Sequence, residues 1–257
     1  MAERRRDVEG AIALVGSGEY TDAMLETDES LLATVGGSKA SVVLLPTAAG
    51  LEENGPSHWN TLGLGHFRKL GVTDIRPSLI LDHASACDPR QVELLRGADF
   101  FYFSGGNPPH VTESLRGTPA WEVISQAQRS GAVVAGCSAG AMAMSGYSLP
   151  FRALISGLVT GAPGEWTPAL GTVPNVVVFP HFDRLPGGLS EPTLRRLSHA
   201  APDGVALVGV DEDTALARLD PPGPTGGLWR VMGRQSVHIY RREAKPLRLR
   251  AGETVTL

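Results

Sequence analysis

A serine enclosed by two glycines is the clearest candidate for chemistry in this chain. Ser138 stands between Gly136 and Gly140 in a G-x-S-x-G pattern that follows the apolar run 132–135. In a tight strand-to-helix turn, such glycines let the neighbouring backbone pass closely while the serine Oγ projects out of the sheet. The N–H of Ala139 can then point at a developing oxyanion beside the positive end of the helix. The pattern predicts a nucleophilic serine if a base lies within reach.

Cys137, directly before the serine, is a second candidate nucleophile. If Cys137 were the nucleophile, the glycines would have to stand at positions 135 and 139, and both are alanine. We therefore expect Cys137 to lie in the core as a small apolar residue.

Backbone donors for the oxyanion are expected in a glycine-rich turn. In open parallel α/β sheets, sites form at the carboxyl ends of strands, so the residues that follow apolar runs are candidates. The run 100–103 is followed by Ser104 and then by Gly105, Gly106 and Asn107. Their backbone N–H groups can approach a substrate and supply the second oxyanion donor.

A base and a carboxylate follow two further apolar runs. His181 comes after the run 176–179, and three acids at 211–213 come after the run 205–210. A serine, a base and an orienting carboxylate on separate strand ends are the arrangement that general-base activation of a hydroxyl requires.

These groups need a scaffold in which strands and helices alternate. Short apolar runs separated by helix-length segments indicate βαβ units, and hence an α/β fold with a doubly wound, mostly parallel sheet. The strands are expected at 11–15, 41–45, 75–81, 100–103 and 132–135, and the helices at 31–33, 58–70, 89–95 and 118–130.

The C-terminal part has a different texture, with short apolar runs separated by turns. Strands are expected at 176–179, 205–210 and 215–219, and then at 228–232, 237–240, 247–250 and 254–257. We expect the last four to form an antiparallel edge that completes the same domain. The prediction is one α/β hydrolytic domain over residues 1–257, with residues 1–10 as a flexible N-terminal tail.

Composition excludes several classes of partner. In 257 residues, 42% are hydrophobic, which is enough for a sizeable core, and the net charge of -4 leaves no polybasic footprint for nucleic acid or an anionic membrane. Two cysteines are too few for a disulfide framework and fit a reducing compartment. The first apolar run is too short for a signal peptide or a membrane span, so we expect a cytoplasmic protein.

Four motifs in chain order resemble peptidase family S51, the family of cyanophycinase and aspartyl dipeptidase (peptidase E). They are FxGGN at 103–107, GxSAGA at 136–141, PHF at 180–182 and GxDExTAL at 209–216, and the resemblance runs from about 15 to 219. It implies a class I glutamine-amidotransferase-like fold, a flavodoxin-like three-layer arrangement with a serine at the nucleophile elbow.

The resemblance also implies roles. Ser138 would attack the scissile carbonyl, and His181 would take its proton and later protonate the leaving amine. The N–H groups of Gly106 and Ala139 would hold the oxyanion. No metal or other cofactor is implied.

The third member of the triad is Glu212 by resemblance to the cyanophycinase branch, with Asp183 and Asp211 as alternatives. The chain departs from that branch at Pro108, where Gln is typical, and its basic cluster after the histidine is reduced to Arg184.

The implied substrates are small peptides or isopeptides that contain aspartate, cleaved through an acyl-enzyme. A cation is needed to hold the free carboxylate, and Arg152, Arg184 and Arg195 are candidate bidentate donors. Exposed edge strands and the resemblance are compatible with a homodimer.

Two other functions compete with this interpretation. The first is an α/β-hydrolase esterase that uses Ser138, either Asp211 or Asp213, and His238, because that fold orders its triad as serine, acid, histidine. The second is a non-catalytic small-molecule-binding domain on the same scaffold.

Two further kinds of site are disfavoured. Gly16 and Gly18 follow the first strand, but the third glycine of a dinucleotide fingerprint would stand at Thr21. The histidines form no i, i+4 pair and no cysteine cluster accompanies them, so no metal site is expected.

Overall fold

The computed structural model describes residues 8–149, 165–185, 190–223 and 227–257. In these ranges the chain forms an eight-stranded central sheet, a four-stranded second sheet and a two-stranded antiparallel sheet. Residues 1–7 of the predicted N-terminal tail lie outside the described residues.

Parallel strands make up the middle and one side of the central sheet. Their spatial order is β1-β5-β4-β2-β3, which is the order of a doubly wound α/β fold. They are β1 (Ile12–Val15), β2 (Val42–Leu45), β3 (Ile75–Pro77), β4 (Phe100–Phe103) and β5 (Val133–Cys137). Every residue of these strands except those of the edge strand β3 is buried, as expected for strands covered on both faces.

Helices cover both faces of this sheet and confirm the three-layer prediction. They are α1 (Leu25–Ala33), α2 (Gly55–Lys69), α3 (His83–Ala86), α4 (Pro89–Leu95), α5 (Pro108–Leu115), α6 (Pro119–Arg129) and α7 (Ala139–Met144). A further helix, α8 (Glu191–Ala200), packs on the second sheet. Leu31 and Phe67, from α1 and α2, pack in one apolar cluster, whereas Leu95 and Ile124, from α4 and α6, pack in the cluster on the other face. The sequence places proline in the first turn of α2, α4, α5, α6 and α8, where its missing N–H has no helical partner.

The remaining strands complete the sheets. They are β6 (Tyr147–Ser148), β7 (Thr167–Pro168), β8 (Val176–Phe179), β9 (Ala206–Val210), β10 (Thr214–Arg218), β11 (Leu228–Gly233), β12 (Ser236–Tyr240), β13 (Leu247–Arg250) and β14 (Thr254–Thr256). β10 pairs antiparallel with β1, and β11 and β14 continue that antiparallel edge.

The four C-terminal strands are antiparallel to their neighbours, as predicted, and they are divided between the two sheets. β12 pairs with β9 and β13 pairs with β12 in the second sheet, whose order is β13-β12-β9-β8. Alternating apolar residues indicate which face of a strand is buried and do not specify its pairing partner, so the pattern alone does not assign each strand to a sheet.

The two sheets meet near the ends of β1 and β9. Only residues 211–213 separate β9 in the second sheet from β10 in the central sheet. A Cβ on Gly16, directly after β1, would overlap the carbonyl oxygen of Asp211, so glycine is required for this close approach. The carboxyl ends of strands from both sheets therefore lie at one seam.

The end of the predicted flexible tail is fixed by contacts. Gly10 is buried, and its N–H donates to the carbonyl of Gln128 at 2.7 Å. Arg218 donates to the carboxylate of Glu9 at 2.9 Å. The tail prediction is therefore wrong for these two residues, whose polar groups have partners on the folded domain.

No helix in the described part of the chain is long and apolar enough to cross a membrane.

Candidate active site

Ser138 occupies a strained turn between β5 and α7. Its backbone has φ 50 and ψ -109, a conformation that residues other than glycine rarely adopt. A Cβ on Gly136 would lie 2.6 Å from the backbone of Gly140, and a Cβ on Gly140 would lie 2.7 Å from the carbonyl oxygen of Phe103. Both glycines are therefore needed for the turn, as the sequence pattern predicts.

His181 and Glu212 form a continuous chain of hydrogen-bonding distances with Ser138. The Oγ of Ser138 lies 3.1 Å from Nε2 of His181, and Nδ1 of His181 lies 3.0 Å from Oε1 of Glu212. β8 and β9 are parallel neighbours, so the residues that follow them emerge side by side. With its proton on Nδ1, the imidazole can donate to the carboxylate and accept the serine proton at Nε2.

Asp183 supports the acid rather than replacing it. Its Oδ1 accepts the backbone N–H of Glu212 at 2.8 Å, and its Oδ2 accepts from the side-chain amide of Gln235 at 3.3 Å. Arg184 places its Nε 3.3 Å from Oε2 of Glu212 and 3.6 Å from Oδ2 of Asp183. The structure therefore brings Glu212 to the imidazole and places Asp183 behind it.

The residues of the esterase alternative lie in a different arrangement. Asp211 is buried, accepts the N–H of Ser236 at 3.2 Å, and has Oδ1 3.4 Å from Nε2 of His238. The ring of His238 packs on Phe182 with 4.7 Å between centroids, and burial lowers the pKa of this histidine. The hydrogen-bond partner of Ser138 is thus His181.

Asp213, the other acid of that alternative, pairs with an arginine. Its carboxylate lies 3.5 Å from Nη1 of Arg234. The structure does not assemble the predicted esterase triad, because β12 carries His238 within the second sheet and beside Asp211.

Two of the expected oxyanion donors are already engaged. The N–H of Gly105 donates to Oε1 of Glu19 at 2.8 Å, and the N–H of Asn107 donates to the carbonyl of Ala48 at 2.7 Å. The side chain of Asn107 caps α5. The expectation that Gly105 and Asn107 offer free donors is therefore not met.

Gly106 and Ala139 keep their N–H groups available. Gly106 has φ 143, and its amide makes no hydrogen bond within the described ranges. A Cβ there would lie 2.8 Å from the backbone nitrogen of Ala49, so only glycine fits. Ala139 begins α7, where an amide has no acceptor in the helix.

Cys137 is buried, as predicted, but it has a polar partner. Its thiol donates to Oε2 of Glu19 at 2.8 Å. Burial, and then the nearby Glu19, raise the pKa of Cys137 well above its ordinary value, so the sulfur stays a protonated donor rather than a nucleophile. Glu19 was not among the site residues predicted from the sequence. The only feature that could have indicated it is its position, directly after the turn at Gly16 to Gly18.

The three candidate arginines are placed differently. Arg184 lies beside the triad, whereas Arg195 forms an ion pair with Glu191 on α8. Arg152 lies outside the described residues. Within the described ranges, no three His, Cys, Asp or Glu side chains are grouped so as to hold a metal ion.

Comparison with known proteins places this site in a family. The sequence matches the model of peptidase family S51 over residues 12–220, a range that includes the serine, the histidine and the acid. The chain belongs to peptidase family S51. It is therefore a hydrolase of the peptidase class, as the sequence motifs predict.

Relatives and solved structures agree with this assignment. The chain is 27% identical over 245 residues to a cyanophycinase of Nostoc sp. (strain PCC 7120), covering 89% of this chain and 72% of the relative. A cyanophycinase of Trichormus variabilis gives the same identity and coverage, 27% over 245 residues, 89% and 72%.

Among solved structures, a peptidase from an acI-B1 Actinobacterium is 33% identical with a TM-score of 0.81, covering 98% of both chains. A protein from Listeria monocytogenes described as a putative peptidase E shares the fold at 18% identity, with a TM-score of 0.54 and coverage of 95% of this chain and 100% of that one.

Proposed function

We propose that the protein is a serine-type peptidase that cleaves peptide or isopeptide bonds through an acyl-enzyme on Ser138. The observation that carries this proposal is the chain of contacts from Ser138 through His181 to Glu212, with 3.1 Å and 3.0 Å between the paired atoms. Ser138 lies in a strained turn. The N–H groups of Ala139, next to it, and of Gly106, in the turn after β4, have no hydrogen-bond partner among the described residues.

In acylation, Nε2 of His181 accepts the proton of Ser138 as Oγ attacks the scissile carbonyl. The carbonyl oxygen becomes an oxyanion and receives hydrogen bonds from the N–H groups of Gly106 and Ala139. Glu212 stabilises the imidazolium and holds its orientation. The imidazolium then protonates the leaving amine as the C–N bond breaks, which leaves an ester on Ser138.

In deacylation, a water molecule takes the place of the amine. His181 accepts its proton as the oxygen attacks the ester carbonyl, and the imidazolium returns that proton to Oγ of Ser138 as the C–O bond breaks. The products are a carboxylic acid and the free enzyme.

For the substrate, we propose small peptides or isopeptides with an aspartyl residue at the cleaved bond. The relatives are cyanophycinases and a protein described as a putative peptidase E. Arg184, 3.3 Å from Glu212, is a largely exposed guanidinium beside the triad, and its further N–H groups can bind a carboxylate.

A substrate panel tests this proposal. We would measure kcat/KM for an α-aspartyl dipeptide, a β-aspartyl isopeptide, the matched glutamyl and alanyl peptides, and a simple aryl ester. The expected result is a preference of about 10-fold or more for an aspartyl substrate, since a hydrogen bond to a charged group contributes about 1.5 kcal/mol or more and is lost with the uncharged analogue. Ser138→Ala is expected to lose turnover of every substrate.

Two results would contradict the proposal in different ways. Equal kcat/KM for aspartyl and alanyl peptides would contradict the proposed aspartyl specificity but not the proposal of a serine peptidase. Peptide turnover by Ser138→Ala at the wild-type rate would contradict the assignment of Ser138 as the nucleophile.

A further inference from the structure

Glu19 is a buried carboxylate that contacts the neighbours of two active-site groups: Gly105, next to the oxyanion donor Gly106, and Cys137, next to Ser138. It follows β1, and only 7% of it is exposed. Its Oε1 accepts the N–H of Gly105, in the turn after β4, at 2.8 Å, and its Oε2 accepts the thiol of Cys137, the last residue of β5, at 2.8 Å. One side chain therefore links the ends of three strands of the central sheet.

This carboxylate is held by hydrogen bonds and not by a cation. Among the described residues, the ion pairs do not include Glu19. Taking a carboxylate out of water costs several kcal/mol unless donors replace the lost hydration, and an apolar side chain of similar size would avoid that cost. Its presence behind the nucleophile indicates a role beyond packing.

Gly105 is packed against the nucleophile itself. A Cβ on Gly105 would lie 3.4 Å from Cβ of Ser138 and 2.9 Å from Oε1 of Glu19. Because the N–H of Gly105 donates to Glu19, the orientation of this peptide group is fixed. The next amide, that of Gly106, is then the one left without a partner in the described structure.

We propose that Glu19 is a positioning residue of the hydrolytic reaction. It fixes the turn at 105–106 against the nucleophile strand, so that the amide of Gly106 is aimed at the developing oxyanion beside Ser138. This inference rests on the proposed function, because it assigns Glu19 to the acylation step at that serine.

The glycine pattern after β1 is explained by the same account. Gly16 lets the backbone of Asp211 pass, and Gly18, with φ 83, lies against the side chain of Asp213. The segment that resembles a partial nucleotide fingerprint thus turns the chain past the acid loop and brings Glu19 to the site.

The test compares Glu19→Ala and Glu19→Gln with wild type. The glutamine keeps a carbonyl oxygen for the N–H of Gly105, whereas alanine keeps no acceptor. The control is Asp28→Asn, which alters a fully buried carboxyl that pairs with His66 at 2.8 Å and does not contact the turn. For each variant we would measure the unfolding midpoint, kcat, KM, and the rate of acylation by a serine-directed fluorophosphonate.

The expected result is a loss in kcat and in acylation rate that exceeds any loss of folded protein. Removing one oxyanion donor costs about 100-fold to 1000-fold in kcat, so Glu19→Ala is expected to lose about 100-fold with KM changed less than about 3-fold. Glu19→Gln is expected to recover to within about 10-fold of wild type, since the Gly105 contact survives. Asp28→Asn is expected to lower stability and leave kcat per folded molecule unchanged.

A second readout follows the Gly105 amide directly by NMR. We expect its proton resonance to move upfield in Glu19→Ala and to stay near its wild-type position in Glu19→Gln, whether or not a substrate is present.

The contradicting outcomes separate this inference from the proposed function. Acylation of Glu19→Ala at the wild-type rate, or a loss that only tracks the unfolded fraction as in Asp28→Asn, would overturn the role of Glu19 alone. An unchanged Gly105 resonance in Glu19→Ala would do the same. Failure of the fluorophosphonate to label folded wild type would overturn the proposed function, and this inference with it.

Discussion

The two halves of the site are built in different ways. Ser138 and the turn at Gly106 follow β5 and β4 of the central sheet, and their surroundings are buried backbone that tolerates no added Cβ. His181 and Glu212 follow β8 and β9 of the second sheet, with 41% and 32% of their side chains exposed. Steric exclusion shapes the nucleophile half, whereas hydrogen bonds between side chains and loop backbone shape the base half.

Because the two halves are built differently, substitutions in them are expected to have different effects on stability and activity. Close packing cannot relax around an added methyl group, so changes in the nucleophile half are expected to disrupt the fold and the chemistry together. Polar contacts near solvent can be lost one at a time, so changes in the base half are expected to lower activity in graded steps with small effects on stability.

The largest effect is expected for Gly140→Ala, in the nucleophile half. The new Cβ would lie 2.7 Å from both Cβ and the carbonyl oxygen of Phe103, so the elbow must move. We expect a loss of stability of about 1–3 kcal/mol, from overpacking, together with loss of acylation at Ser138. Urea unfolding and fluorophosphonate labelling measure the two effects.

Gly65→Ala is the matched control for that substitution. Gly65 lies within α2, and a Cβ there meets nothing within 4 Å. The control is expected to be neutral or to stabilise by about 0.5–1 kcal/mol, since alanine favours a helix interior. Similar destabilisation in both variants would show that close packing at the elbow is not the cause.

Glu212→Gln, in the base half, is expected to give the next largest effect, confined to activity. The amide can no longer stabilise the imidazolium or enforce its tautomer, so kcat should fall by about 100-fold to 10,000-fold. The unfolding midpoint should change little, because the side chain is partly exposed. The control is Glu191→Gln, a surface acid paired with Arg195, for which no change in kcat is expected.

Asp183 provides a smaller test of the same half. Asp183→Ala removes the acceptor for the N–H of Glu212 and is expected to lower kcat by about 10-fold, as expected for loss of one hydrogen bond to a charged group. Asp183→Asn keeps a carbonyl acceptor and is expected to recover to within about 3-fold of wild type. If Asp183→Asn lost as much activity as Glu212→Gln, Asp183 would be the third member of the triad instead.

The smallest effect concerns pH and His238. Burial lowers the pKa of this histidine below 6.5, against the opposing influence of Asp211 and Asp183 and with a minor contribution from Arg248. Because the unfolded chain binds a proton there more readily than the folded one, stability is present above about pH 6.5 and declines as pH falls. Urea midpoints at about pH 7.5 and about pH 5 should therefore differ less in His238→Gln than in wild type. An equal or larger difference in the variant would contradict this account.

The central parallel sheet could be predicted from the sequence because β1, β2, β4 and β5 are apolar runs buried on both faces. The helices could be predicted only in part, since α1 begins at Leu25 rather than at 31, and α3 and α5 are not among the predicted helices. The prediction for 75–81 was too long, since β3 ends at Pro77 at the sheet edge. The division of β11 to β14 between two sheets could not be predicted, because strand patterns specify a buried face and not a pairing partner.

The candidate site, like the fold, could be predicted only in part from the sequence. Glycine spacing indicates Ser138, and the order of motifs indicates His181 and Glu212, because each follows an apolar strand. The engagement of Gly105 depends on the side chain of Glu19, which lies far away in sequence and at no diagnostic spacing. Only the folded arrangement shows that the amide of Gly105 is occupied and that the amide of Gly106 has no partner among the described residues.

The most direct test of the central claim is intact-mass spectrometry after incubation with a serine-directed fluorophosphonate. We would compare wild type with Ser138→Ala, His181→Ala and His238→Ala, each shown to be folded. The account predicts one adduct on wild type and on His238→Ala, and none on Ser138→Ala or His181→Ala. Absence of an adduct on folded wild type, or its loss in His238→Ala with retention in His181→Ala, would contradict the Ser138, His181 and Glu212 triad.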